Sequence, residues 1–300
     1  MNAIQEQDLY PSRRGTEDVI TERKDPVVYG AAADGPLGQD ELEAYDRNGF
    51  LFYPAFFGPD DLASFSAELD RLWATAGAAR DSDEVIREPD SDIVRSIFRV
   101  HETSDVYRRL AADPRIADRA RQLLGSDVYV HQSRINYKPG FKGKEFYWHS
   151  DFETWHVEDG VPRMRMVSCA IWLTENTPVN GPVMVMPGSH KWFVACSGGT
   201  PDDHFKASLR RQEFGVPSDT SMEWLEKRCG IEQPVGPAGS VLFFECNVVH
   251  GSNGNITPYP RSNVFIVYNS VENTPKQAFG PARRRPHFLG SDDFTPLPRG

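Results

Sequence analysis

The run FYWHSDFETWHVEDGVPR, residues 146–163, gathers two histidines, four carboxylates and five aromatic side chains within eighteen positions. Neither an ordinary core strand nor an ordinary solvated loop requires that mixture. His149, Ser150 and Asp151 put an imidazole and a carboxylate at i and i+2, and on an extended strand those two side chains point to the same face. The strand reading predicts that both groups reach one point, with Glu158-Asp159-Gly160 making the turn that ends the segment. Glu153 either steadies such a site or faces solvent, and His156 is read as a structural or supporting residue.

Outward from this stretch the texture is that of strands. From about residue 126 apolar residues recur with period two in DVYVHQSRINYKPG, MVSCAIWLTE, GPVMVMPGSH, GSVLFFECNVVHGS and SNVFIVYNSVEN, with Gly, Pro or Asn between the runs. Upstream, QDELEAYDRNGF, GPDDLASFSAELDRLWATAG, TSDVYRRLAAD and PRIADRARQLLG carry helical spacing, and FLFYPAFF reads as a short strand or turn. A helical front over 39–125 followed by a core over 126–273 predicts a mainly β protein, a sandwich or jelly roll braced by flanking helices. Helical segments at 197–232 interrupt the strands, and 274–300 is a C-terminal segment of the same domain. Residues 1–38, polar and rich in charge, Gly and Pro, are expected to be a loosely ordered lead-in outside the core.

Composition narrows the function. The net charge of −10 and a pI near 5.3 disfavour a phosphate-tracking nucleic-acid surface, so a small-molecule partner fits better. Cys169, Cys196, Cys229 and Cys246 form no CxxC pair, and the N-terminus lacks a signal-type apolar run, which predicts free thiols in a reducing cytoplasm. No window approaches a membrane span.

A His-x-Asp pair alone is weak evidence, because a hydrogen-bonded structural histidine is the commoner case. His250, at the end of the apolar run SVLFFECNVV and before a Gly-rich turn, offers the third member of a two-histidine, one-carboxylate set, the donor set of non-haem Fe(II). Arg261, eleven residues on, gains a task if the co-substrate is 2-oxoglutarate, whose far carboxylate matches the guanidinium fork, with Ser252 adding a hydroxyl. Zinc accepts the same ligands, which leaves a zinc hydrolase open. A serine hydrolase is disfavoured by the absence of G-x-S-x-G, and a sugar-binding jelly roll would not need Arg261.

Four longer runs carry a resemblance: HQSRINYKPGFKGKEFYWHSDFETWHVEDGVPRMR, NGPVMVMPGSH, TPDDHFKASLRRQEFGVP and HGSNGNITPYPRSNVFIVYNSVEN. Over residues 39 to 290 the chain resembles the ectoine hydroxylases of the phytanoyl-CoA dioxygenase superfamily, with Val161 standing where that pattern has Met. The resemblance implies a double-stranded β-helix holding Fe(II) through His149, Asp151 and His250, with 2-oxoglutarate and O2 as co-substrates. It implies Arg261 and Ser252 as the main 2-oxoglutarate contacts, with Phe98, Asn136 and Ser168 lining that pocket.

The implied reaction is hydroxylation of ectoine to 5-hydroxyectoine, with succinate and CO2 as co-products, in a homodimer. Ectoine carries a delocalised amidinium, which the faces of Trp155, Phe244 and Phe265 suit by cation–π contact. Gln132 and Thr154 would orient its polar edge and Arg285 its carboxylate. A related ring, such as a proline derivative, is the alternative substrate.

Overall fold

The computed structural model describes residues 8–78, 82–88, 91–201, 203–209 and 214–299. Its helices in chain order are α1 (Gln39–Asn48), α2 (Pro59–Ala78), α3 (Val100–Thr103), α4 (Asp105–Ala111), α5 (Pro114–Leu124), α6 (Asp151–Thr154), α7 (Phe205–Ser208) and α8 (Asp219–Cys229). Its strands are β1 (Val19–Glu22), β2 (Phe50–Tyr53), β3 (Val85–Arg87), β4 (Val94–Phe98), β5 (Val128–Lys138), β6 (Phe146–His149), β7 (Met166–Trp172), β8 (Val183–Val185), β9 (Trp192–Ala195), β10 (Val241–Glu245), β11 (His250–Ser252) and β12 (Arg261–Ser270).

Seven strands form one antiparallel sheet in the order β2-β10-β7-β12-β5-β4-β3, and β6-β11-β8 form a smaller one. Alternation assigns the two faces of the large sheet. Val241 and Phe243, Val167, Cys169 and Ile171, and Val264, Ile266 and Tyr268 pack with α1, α2, α4 and α5. The intervening Leu242, Phe244, Ala170, Trp172 and Phe265 pack with Val183 and Val185 of the small sheet. The molecule is thus the mainly β jelly roll with flanking helices that the period-two runs predict, and the site lies between its sheets.

The expectation of a loosely ordered lead-in is corrected for residues 8–38. Tyr10 is fully buried and its hydroxyl donates to Asp25 at 2.9 Å. β1 pairs with β9, and Leu37 lies in the helix-side core. Polar composition misleads here because the segment's charges are matched by partners far along the chain. In the 197–232 insert, α7 and α8 are helical as expected, while residues 202 and 210–213 of that reading fall outside the described residues. Among the described residues no helix is long and apolar enough to cross a membrane.

Candidate active site

The antiparallel pairing of β6 with β11 sets His149 directly opposite His250, with ring centroids 4.3 Å apart. Cross-strand partners are the closest side-chain neighbours a sheet offers, so the ladder itself brings the two imidazoles together. Asp151 corrects the strand reading. Ser150 is the last extended residue (φ −104°, ψ 127°) and Asp151 opens α6. The helical turn puts Phe152 and Trp155, three residues apart, on one face, and both enter a buried cluster with Tyr10, Met164 and Phe193. The Phe152 amide donates to the Cys246 carbonyl at 2.8 Å and anchors that turn beside β10.

Nδ1 of His149 lies 2.7 Å from the Tyr147 carbonyl, and Nδ1 of His250 lies 3.0 Å from the Val248 carbonyl. A carbonyl can only accept, so Nδ1 carries the proton in each ring and Nε2 presents a free lone pair. The Nε2 atoms stand 3.6 Å and 3.8 Å from the two Asp151 carboxylate oxygens, and one ligand atom from each residue lies within 4.8 Å of the others. Two donors each about 2.1 Å from one cation stand about 3 to 4.2 Å apart. Asp151 Oδ2 is buried with no hydrogen-bond partner. These residues fit a divalent metal ion.

The electrostatics agree. Burial and the adjacent His149 push His250 down to about 4, so it is a neutral ligand at pH 7. Burial alone would raise the Asp151 carboxyl, but His250, His149 and Arg134 outweigh it and hold it below the ordinary carboxylate range.

A cavity of about 590 Å³ opens onto this centre and is bordered by Phe98, Gln132, Asn136, His149, Asp151, Thr154, Trp155 and Arg285. Ser168, Phe244, His250, Ser252, Arg261 and Phe265 are not among the residues that border it. The Phe244 ring lies 4.8 Å from the His250 ring, tilted by 58°, with Ser168 as its ladder partner. Ser168 Oγ is buried without a partner. The expected open aromatic face at Phe265 is instead covered by the Arg134 guanidinium, 5.0 Å above its ring.

Arg261 is 2% exposed and donates from Nε to the Gly181 carbonyl at 2.6 Å. Burial and the nearby Arg95 push it down to about 9, and among the described residues no carboxylate pairs with it. Across the ladder stands Lys138, equally buried, whose ammonium donates to Ser252 Oγ at 2.7 Å and to the Asn253 carbonyl. Burial, Arg261 and Arg95 push the Lys138 amine well below its ordinary range, with Glu88 and Glu145 acting the other way. A buried guanidinium, lysine amine and hydroxyl, with no carboxylate in an ion pair with either cation among the described residues, suit a carboxylate.

Lys138 and Arg134 were not identified from the sequence. Both continue the alternation of Gln132 and Asn136 along β5, so once two of those residues were assigned to the site, period two implicated the other two.

Of the two readings of Glu153 the buried one holds, and Glu158 and Asp159 are buried partners rather than simple turn charges. The chain makes a π-helical turn over Trp155–Asp159 and leaves it at Gly160, φ +77°. A Cβ there would stand 2.6 Å from the Lys276 and Gln277 carbonyls, so glycine admits the C-terminal segment. Arg13 bridges Glu153 (2.9 and 2.7 Å) and Glu158 (2.7 Å). Arg285 makes a bidentate pair with Asp159 (2.7 and 2.6 Å), whose Oδ2 also meets His131 Nε2 at 3.1 Å. His156 is structural, set between the Val161 carbonyl and Asp8.

Residues 45–263 match the phytanoyl-CoA dioxygenase (PhyH) family. The chain is 52% identical to the ectoine dioxygenase of Stutzerimonas stutzeri over 292 residues, 97% of this chain and 96% of that one. It is 53% identical to that of Streptomyces coelicolor, over 97% of each chain. Among solved structures, EctD from S. alaskensis with 2-oxoglutarate and 5-hydroxyectoine superposes with a TM-score of 0.88 at 47% identity, covering 98% of this chain and 99% of that one. The same protein with bound Fe gives 0.86 over the same shares. The chain belongs to the phytanoyl-CoA dioxygenase family, beside the ectoine dioxygenases.

Proposed function

We infer that this protein hydroxylates ectoine to 5-hydroxyectoine, using Fe(II), 2-oxoglutarate and O2. The observation that carries the chemistry is the metal-ready His149–Asp151–His250 set together with the buried Arg261 and Lys138, which form no ion pair among the described residues. The substrate assignment rests on the ectoine dioxygenases that resemble this chain along nearly its whole length.

His149 and His250 present Nε2 and Asp151 its carboxylate to the iron. When bound, iron and 2-oxoglutarate supply the oxidising chemistry, in which O2, the keto acid and a substrate C–H become succinate, CO2 and a hydroxylated product. Arg261, Lys138 and Ser252 would hold the far carboxylate of 2-oxoglutarate, while Asn136 and Phe98 border its body, Ser168 supports from the neighbouring strand β7 and Arg134 adds a cation beside it. Trp155 faces the amidinium ring, with Phe244 and Phe265 supporting from one buried cluster. Gln132 and Thr154 orient the ring's polar edge. Arg285 takes the substrate carboxylate, its guanidinium plane fixed by Asp159. The proposal extends to a cytoplasmic homodimer, a reducing compartment being consistent with four free cysteines.

Anaerobic addition of Fe(II) and 2-oxoglutarate should produce a visible charge-transfer band, and oxygen with ectoine should then yield succinate and hydroxyectoine in equal amounts. Metal-loaded protein without the band would exclude keto-acid chelation. Succinate without hydroxyectoine would move the substrate to another ring, such as a proline derivative.

A further inference from the structure

The outer wall of the cavity includes Ser208, Leu209 and Val216, which belong to the segment between β9 and α8. Both ends of that segment meet one carboxylate from the N-terminal region. Asp18 Oδ1 accepts the Ser197 amide at 2.8 Å, while Oδ2 accepts the Ser218 amide at 2.7 Å and the Ser221 hydroxyl at 2.8 Å. Reinforcing the start of α8 would explain the bonds from Ser218 and Ser221. It does not explain the bond to Ser197 at the opposite end. The backbone around Asp18 is itself fixed, by pairing of Val19 with Ala195 and by the Gly198 amide donating to the Gly15 carbonyl at 2.9 Å.

We propose that Asp18 is a positioning residue for the substrate chamber, tying Ser197 to Ser218 so that Ser208, Leu209 and Val216 stand as its outer wall. Joining the two ends of a segment restricts the conformations between them, and a carboxylate receiving three donors makes a stronger tie than neutral contacts would. Burial alone would raise the Asp18 carboxyl, but the amide of Ser218, the hydroxyl of Ser221 and the amide of Ser197 outweigh it and keep the group ionised. The 2-oxoglutarate seat hangs from strand ladders that Asp18 does not touch, so the two ends of the cavity respond differently to its loss.

This inference rests on the chamber binding ectoine, so its test pairs a kinetic readout with one that needs no substrate. Asp18→Ala should raise KM for ectoine about tenfold while KM for 2-oxoglutarate stays within about twofold. In ligand-free protein, tryptic cleavage after Lys206 should accelerate about tenfold. Ser221→Ala, which removes one donor and leaves the backbone intact, should move both readouts the same way by about twofold to threefold, and covers the case in which Asp18→Ala does not fold. Equal rises in both KM values, or cleavage at the wild-type rate in either variant, would overturn the proposal. Wild-type protein inactive on ectoine would defeat the substrate assignment alone, because the cleavage comparison still reports on Asp18.

Discussion

At the metal end of the cavity the side chains hang from neighbouring strands in register: His149 opposite His250, Arg261 opposite Lys138, Phe265 opposite Arg134 and Phe244 opposite Ser168. At the outer end, Thr154, Trp155 and Arg285 come from segments that no ladder joins, held by Arg13, Glu153, Glu158 and Asp159 through buried ion pairs. A ladder fixes a residue by hydrogen bonds its neighbours make in any case. An ion pair fixes it only while both charges are present and desolvated. The end with the metal ligands is therefore expected to keep its shape when a side chain is lost, and the outer end to lose it.

The sharpest separation should come from the metal ligands. His250→Ala should abolish hydroxylation and reduce iron content to background by elemental analysis, while Arg285→Ala keeps its iron. Iron at the wild-type level in His250→Ala would refute the ligand assignment.

Next in size is the stability of the outer end. Arg13→Ala leaves the buried Glu153 with Ser12 but no guanidinium, while Glu158 keeps His204 and Arg285, and should cost about 3 to 5 kcal/mol in urea denaturation. Lys138→Met replaces a buried ammonium lacking a carboxylate partner with an apolar side chain, and should be neutral or stabilising in the ligand-free protein. Equal losses in the two variants would erase the contrast between the ends.

A smaller effect is expected on co-substrate affinity. Arg261→Ala should raise KM for 2-oxoglutarate about 10- to 100-fold, since charged hydrogen bonds contribute about 1.5 to 3 kcal/mol. KM for ectoine should change little, and a matching rise there would show that the two seats are not separate.

The smallest effect is a pH dependence. Burial pushes His101, which holds Ser133 of β5, and His190 down to about 4. Between pH 6.5 and 4 the unfolded chain binds protons at these sites that the folded chain does not, so stability rises with pH there and falls on acidification, by about 1.4 kcal/mol per pH unit for each fully responding group. Glu158 and Asp159 are held below the ordinary carboxylate range, by His204 and Arg285 foremost, against the opposing effect of burial. Their contribution is lost only at still lower pH. Thermal unfolding of ligand-free protein from pH 7 to 5 should show a declining Tm, and a flat profile would mean that these imidazoles are not kept neutral by the fold.

Legibility followed the same division. The strands that carry Arg261, Phe244 and Phe265 lie in apolar runs, His250 follows one of them, and α1, α2, α4 and α5 announce themselves by helical spacing and by Asp, Pro and Gly at their ends. β1, β3, β4 and β9 were not distinguished, being three to five residues long and lying outside the longer apolar runs that revealed other short strands. Asp151 was assigned to a strand because its helical turn is selected by Phe152 and Trp155 reaching one buried cluster, a condition that exists only once Tyr10 and Phe193 have arrived. Arg13, 140 residues from Glu153, and Arg285, 126 residues from Asp159, leave no local pattern at all.

By itself the sequence determined the layered β architecture and offered His149, Asp151 and His250 as candidate ligands, because alternation and donor chemistry are properties of residues and their immediate neighbours, while the grouping of the three rested on the family resemblance. Only the tertiary structure decided that Arg134 covers Phe265, that Lys138 stands beside Arg261, and that the charges in FYWHSDFETWHVEDGVPR are buried partners. Burial and charge pairing are relations between distant segments, and they acquire a sign only when the chain has closed around them.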